Sequence, residues 1–159
     1  MIEEKVIKML RERGETCTTA ESCTGGLLAG RLVNVPGASE AFGQGVITYS
    51  NEAKENILGV RKDTLRRVGA VSPETAGEMA AGAARMAGAT LALSTTGIAG
   101  PGGGTEEKPV GLVYIGCYYK SVVSVEKHIF EGSRQENRNS AVQAALKMAE
   151  RIMEERKEW

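Results

Sequence analysis

Short β-like runs alternate with helical patterns along this chain, and nearly every change is marked by glycine or a capping hydroxyl residue. Ile2, Val6, Met9 and Leu10 fall at helical spacing and stop at Gly14, which predicts an opening amphipathic helix. A strand over residues 16–20 should follow, interrupted by Glu21-Ser22-Cys23-Thr24-Gly25-Gly26. The pattern Leu27, Leu28, Arg31, Leu32 then predicts a helix ending near Val35-Pro36-Gly37. Residues 43–49 read as a strand, and Ser50 caps a helix through Glu52, Lys54 and Ile57 to Gly59. Ser72-Pro73-Glu74 opens an alanine-rich helix reaching about Met86, whose small residues predict close packing on a sheet. Residues 91–95 read as a buried strand that empties into the glycine-rich residues 96–105. Residues 110–118 and 121–130 form a predicted antiparallel hairpin turning near Lys120. Ser133 and Glu136 match a capping box for a last helix striped by Val142, Ala145, Leu146, Ala149, Ile152 and Met153. Alternating units plus one hairpin imply an α/β fold, a three-layer α/β/α domain on a mixed sheet, as one domain over residues 1–159.

Composition narrows the chemistry. With 42% hydrophobic residues the chain carries material for one core, and twenty basic against twenty acidic residues leave no basic field for nucleic acid or an anionic membrane. No apolar run approaches the roughly 20 residues that cross a bilayer, and Met1-Ile2-Glu3-Glu4-Lys5 lacks the apolar core of a secretory signal. The expectation is a cytoplasmic protein with a small-molecule ligand. Cys17, Cys23 and Cys117 are odd in number and lack metal-like spacing, which points to plain thiols. His128 is the only histidine and Asp63 the only aspartate, so no cluster suits a catalytic metal, and no cofactor or metal is expected. A Ser-His-Asp triad would require that single pair, yet His128 lies in an alternating strand-like run.

Ser22 is the first candidate nucleophile, because it stands where a strand turns into a glycine-opened helix and free amides of Thr24, Gly25 and Gly26 could bind an oxyanion. The same local sequence equally suits Ser22 or Thr24 as a helix cap. It matches neither Gly-x-Ser-x-Gly nor Ser-x-x-Lys. With histidine scarce, a base must come from elsewhere, and Tyr49 and Lys54 follow the next strand at the same sheet edge. A desolvated lysine there would have its pKa drawn toward ~7–8; the alternative is a solvated lysine and an ordinary strand tyrosine. Cys23 is a lesser candidate nucleophile. The loop containing Thr96, Gly97, Gly100, Gly102, Gly103 and Gly104 suits an anion cradle without being a Walker A or dinucleotide motif, or it is simply a flexible loop. Arg134 and Arg138 share a helical face near that helix's N-terminus, where an anion would offset their charge, although Glu131 or Glu136 would serve equally.

Several stretches taken together resemble a known family: residues 20–26 (AESCTGG), residues 45–51 (GVITYSN) with Lys54, Gly69-Ala70-Val71-Ser72, residues 96–101 (TGIAGP) and Lys108-Pro109-Val110-Gly111. In this order, over roughly residues 16–140, they resemble the competence/damage-inducible CinA C-terminal family, whose characterised members are nicotinamide mononucleotide deamidases of the PncC type. The resemblance implies an α/β/α domain and metal-independent conversion of the nucleotide to nicotinate mononucleotide and ammonia in bacterial pyridine-nucleotide salvage. It also implies Ser22 as nucleophile, Tyr49 and Lys54 as its activators, and nucleotide contacts from residues 96–104 and the Arg134 region. A homo-oligomer is compatible with the resemblance. The separate N-terminal domain of full-length CinA proteins, associated with nucleotide pyrophosphatase activity, is expected to be absent.

Two other readings compete. The same loops would serve a nucleotide- or partner-binding module without turnover. A dinucleotide pyrophosphatase is the third, and the lack of an acidic metal site weighs against it.

Overall fold

A computed structural model describes residues 1–158 and contains one five-stranded sheet in the order β2-β1-β3-β4-β5. The strands are β1 (Cys17–Glu21), β2 (Val46–Ile47), β3 (Leu91–Gly97), β4 (Leu112–Tyr119) and β5 (Val122–Ile129). The helices are α1 (Ile2–Arg13), α2 (Leu27–Val33), α3 (Asn51–Leu58), α4 (Lys62–Val68), α5 (Pro73–Ala87) and α6 (Arg134–Glu155). β1 runs parallel to both neighbours, β2 and β3, whereas β3–β4 and β4–β5 are antiparallel. The sheet is mixed, as the sequence pattern implies.

Apolar burial holds the layers together. On one face Val6, Ile7, Leu10, Leu28, Leu32, Leu146 and Ile152 from α1, α2 and α6 pack with Leu91, Leu93 and Ile115 of the sheet. On the other, Leu58 of α3 and Met79, Ala83 and Ala84 of α5 pack against Ala20 and Ala92. The small residues of α5 do bring it close: Ser94 Oγ donates to the Ala76 carbonyl at 2.6 Å, and a Cβ on Gly116 of β4 would overlap that carbonyl. Helix ends follow local chemistry. Gly14, Gly59 and Gly88 close α1, α3 and α5 in the left-handed region; Ser50, Ser72 and Ser133 cap α3, α5 and α6.

Two elements differ from the sequence pattern. The strand expected over residues 43–49 has only Val46 and Ile47 in the ladder, because the Gln44 carbonyl accepts from the Thr18 hydroxyl at 2.8 Å instead of a strand amide. Helix α4 gives no sequence signal: its N-terminus is capped by Glu78 of α5, which accepts from Arg61 N at 2.9 Å and Thr64 Oγ1 at 2.6 Å. The cap is tertiary and invisible to a local motif.

Topology sets the site. The chain passes from β1 through α2 on one face to β2, then returns over the other face through α3, α4 and α5 to β3. The carboxyl ends of β1, β2 and β3 therefore diverge at a topological switch point, the usual position of a crevice in an open α/β sheet. Helix α3 is held there by close approach to α5, since a Cβ on Gly82 would overlap the Leu58 carbonyl oxygen. Gly82→Ala should therefore lower stability by about 1–3 kcal/mol as an overpacked contact, despite alanine's higher helix propensity. Denaturant unfolding checks this; unchanged or raised stability would contradict the packing.

Candidate active site

Glu21, the last residue of β1, is fully buried, and its carboxylate accepts from Leu28 N at 2.8 Å, Ala29 N at 3.0 Å and Thr24 Oγ1 at 2.6 Å. It thus caps α2 from outside the helix, where Gly26 at the N-cap position offers no side chain. Neither Ser22 nor Thr24 is the cap. Thr24 Oγ1 instead links Glu21 to Thr95 Oγ1 at 2.7 Å, so the local alternative that would occupy Ser22 structurally does not hold.

Ser22 is 8% exposed, and its amide donates to Thr95 O at 2.9 Å, which continues β1 alongside β3 by one residue. Lys54, in the first turns of α3, is 1% exposed. Its Nζ lies 3.0 Å from Ser22 Oγ and donates to the carbonyls of Thr48 at 2.8 Å and Tyr49 at 3.2 Å. Burial favours the uncharged amine and draws the Lys54 pKa down to about 8. The ammonium form uses all three donors on these partners. Once neutral, the amine keeps two donors for the two carbonyls and has a lone pair left for the Ser22 hydroxyl proton.

Tyr49 contributes differently from what the sequence suggests. Its carbonyl faces Lys54, while its side chain is 63% exposed and its hydroxyl accepts from Arg134 at 3.3 Å. The phenol is bonded to neither Ser22 nor Lys54 among the described residues. Cys23 also falls away as a nucleophile, because burial pushes its thiol up to about 11 and leaves no thiolate at neutral pH.

Ser22, Cys23, Tyr49 and Lys54 line a cleft of about 270 Å³ with Ala70, Val71, Thr96, Gly97, Gly100, Gly102, Gly103 and Arg134. Residues 96–104 are anchored at several points. Thr96 Oγ1 donates to Ala70 O at 2.8 Å, Arg134 to Gly100 O at 2.8 Å, and buried Asn137 to Ala99 O at 2.9 Å while accepting from Gly132 N at 2.9 Å. Gly104 stays outside the cleft; a Cβ there would lie 2.7 Å from Val110 N, so glycine serves chain packing. Thr24, Gly25 and Gly26 also lie outside its lining. Among the described residues the amides of Cys23, Thr24, Gly100, Gly102 and Gly103 donate to no protein group; Thr24 is fully buried, whereas Cys23, Gly100, Gly102 and Gly103 line the cleft, where their amides can meet an anionic oxygen.

Arg138 is turned away from the role the sequence suggests. Its Nε donates to Cys23 O at 3.0 Å and one terminal nitrogen to Thr24 O at 3.1 Å. Neither arginine pairs with Glu131 or Glu136, since the Glu136 carboxylate accepts from Ser133 N in the capping box. Glu21 and Asn137 give no local signal of their roles: one caps a helix that begins six residues beyond it, and the other bonds across 38 residues. His128 stacks on Phe130, with centroids 5.3 Å apart, and meets Glu126 at 3.3 Å, remote from Ser22. No group of three or more His, Cys, Asp or Glu suited to a metal occurs among the described residues, and no described helix is long and apolar enough to cross a membrane.

Comparison with known proteins agrees with this architecture. The CinA C-terminal domain family matches residues 1–153. A CinA-like protein of Kosmotoga olearia is 54% identical over 152 residues, which is 96% of this chain and 37% of that protein. This chain spans between 35% and 38% of the length of curated relatives that it matches. Among solved structures, a CinA superfamily protein from Klebsiella pneumoniae superposes with a TM-score of 0.93 at 34% identity, covering 97% of this chain and 96% of its own. The competence/damage-inducible protein CihA of Agrobacterium tumefaciens gives 0.89 at 43% identity, covering 92% of both. The chain belongs to the CinA C-terminal domain family.

Proposed function

We propose that this domain is a metal-independent serine amidohydrolase acting on the carboxamide of nicotinamide mononucleotide. The observation that carries the reading is the buried Lys54 amine 3.0 Å from Ser22 Oγ. A fully buried lysine whose donors match two carbonyls and a serine is costly as structure and useful as a base. The pyridine nucleotide comes from the family resemblance. A cleft lined by backbone amides and an arginine supports an anionic substrate of that size.

In the first half-reaction Ser22 Oγ bonds to the carboxamide carbon and its proton passes to neutral Lys54 Nζ. The carbonyl π pair moves onto oxygen, held by the free Cys23 amide of the turn after Ser22. Lys54 then returns the proton to the amide nitrogen, the C–N bond breaks, and ammonia leaves an acyl-Ser22 ester. Water attacks that ester, giving its proton to Lys54; the C–O bond to Ser22 breaks and the serine regains a proton, releasing the carboxylate. Tyr49 is not needed as a base. Its hydroxyl, bonded to Arg134 at the cleft, belongs with substrate recognition.

Ammonia release from nicotinamide mononucleotide in the presence of a chelator tests the reading. Release should persist with chelator and fall at least ~10³-fold in Ser22→Ala, with nucleotide affinity changed only a few-fold. Binding without release, indifferent to Lys54→Ala, would establish a nucleotide-binding module instead; release only with added Mg²⁺ or Mn²⁺ would indicate a metal hydrolase. Because the neutral amine is the base, kcat/KM should rise with pH through about 8 and level off above it. A rate that declines across that interval would exclude this role. Linkage gives an independent check. The folded-state pKa of Lys54 lies below its unfolded value of 10.5, so the unfolded chain binds more protons between the two. Stability should therefore gain a contribution as pH rises from about 8 toward 10.5, and Lys54→Met should remove that contribution from the unfolding profile.

A further inference from the structure

The three peptides after Ser22 are each held by their carbonyl oxygen. Ser22 O accepts from Gly25 N at 3.1 Å, Cys23 O from Arg138 Nε at 3.0 Å, and Thr24 O from Arg138 at 3.1 Å and from Leu27 N at 3.1 Å. Arg138 reaches this turn from the second turn of α6, 115 positions away in sequence from Cys23, and it is the only side chain bonded to these three carbonyls among the described residues.

A trans peptide is planar, with its C=O and N–H pointing in opposite directions. Holding Cys23 O on Arg138 therefore fixes the direction of the Thr24 N–H, and holding Ser22 O on Gly25 N does the same for the Cys23 N–H. Both amides are the unbonded ones. Cys23 lines the cleft and Arg138 does not, so the guanidinium grips this turn from behind. A Cβ on Gly25, whose φ is +58°, would sit 3.2 Å from the same guanidinium, so that position keeps the approach open.

We propose that Arg138 is a positioning residue for the oxyanion: by holding the Cys23 and Thr24 carbonyls it fixes the turn that presents the Cys23 amide, at the cleft, to the oxygen that becomes negative when Ser22 is acylated. This rests on Ser22 being the nucleophile. The sequence leaves Arg138 between a bound anion and a neighbouring glutamate; the hydrogen bonds to Cys23 O and Thr24 O give it a different part. Substrate binding and oxyanion stabilisation separate kinetically, because a group acting only on developing charge changes kcat and leaves KM nearly untouched.

The test compares Arg138→Lys and Arg138→Gln with the parent on two readouts: steady-state turnover of nicotinamide mononucleotide, and the rate at which an alkyl fluorophosphonate labels Ser22, followed by intact mass. Phosphonylation also builds negative charge on oxygen beside Ser22, so it reports on the turn without needing the right substrate. Loss of one oxyanion donor lowers kcat by about 10²–10³-fold in serine hydrolases. Arg138→Gln, which keeps one donor and no charge, should lower kcat and the labelling rate together by at least ~10-fold with KM within about three-fold. The pH midpoint near 8 should stay in place, because Lys54 does not touch Arg138. Arg138→Lys, which keeps the charge and can hold one carbonyl, should fall between. If folded variants raise KM at unchanged kcat, Arg138 is a substrate ligand and the proposal fails; unchanged kcat and labelling also overturn it. A parent protein whose Ser22 labels readily but releases no ammonia from the nucleotide overturns the substrate reading, and the labelling rates still decide Arg138. If Ser22 neither labels nor supports turnover, both readings fall.

Discussion

The amine of Lys54 is buried beside a serine hydroxyl and two carbonyls, and among the described residues no carboxylate pairs with it. An ammonium in such a place is expensive, so the neutral form gains ground, and this draws its pKa down to about 8. Much of the surrounding fold can be understood as what is required to hold it there. Edge strand β2 ends after two residues, which turns the Thr48 and Tyr49 carbonyls toward Nζ rather than into a ladder. Ser50 caps α3 just ahead of the lysine, and Gly82 lets the far end of α3 lie against α5. Lys54 is thus fixed at both ends of its own helix.

Glu21 separates structure from chemistry one residue away. By capping α2 from the end of β1, its carboxylate takes the Leu28 and Ala29 amides and spares Ser22 from that duty. The turn between them keeps its Cys23 and Thr24 amides free, while Arg138, Asn137 and Arg134 of α6 grip this turn and the glycine-rich loop through backbone carbonyls. One helix therefore braces both walls of the cleft, with Arg134 lining it and Asn137 and Arg138 outside its lining. Parallel strands bring Ser22 and Lys54 together, while the walls around them are held by residues, Asn137 and Arg138, that do not line the cleft.

How much of this was legible follows the range of each interaction. Helix ends closed by Gly14 or opened by Ser72 and Ser133 are local events, so they can be read from a few adjacent residues. The Lys54–Ser22 contact spans 32 positions, yet each residue follows its own strand, and parallel strands deliver both to one edge. Contacts without such a scaffold were not legible. Glu78 capping α4, Thr18 breaking β2 and Asn137 tying down Ala99 require knowledge of which elements pack together. Tyr49 shows the limit within the site itself, because sequence cannot tell that its carbonyl, rather than its phenol, would face the lysine.

The most direct measurement of the central claim is an NMR titration of Lys54 in protein labelled with ¹³C at lysine Cε, with Lys54→Met used to assign the resonance. A Cε resonance that titrates with a midpoint near 8 is the expected result, showing a lysine that is substantially neutral in mildly alkaline solution and able to accept the Ser22 proton. A midpoint near the ordinary lysine value of about 10.4 would mean that the amine stays charged beside Ser22, and would contradict the account.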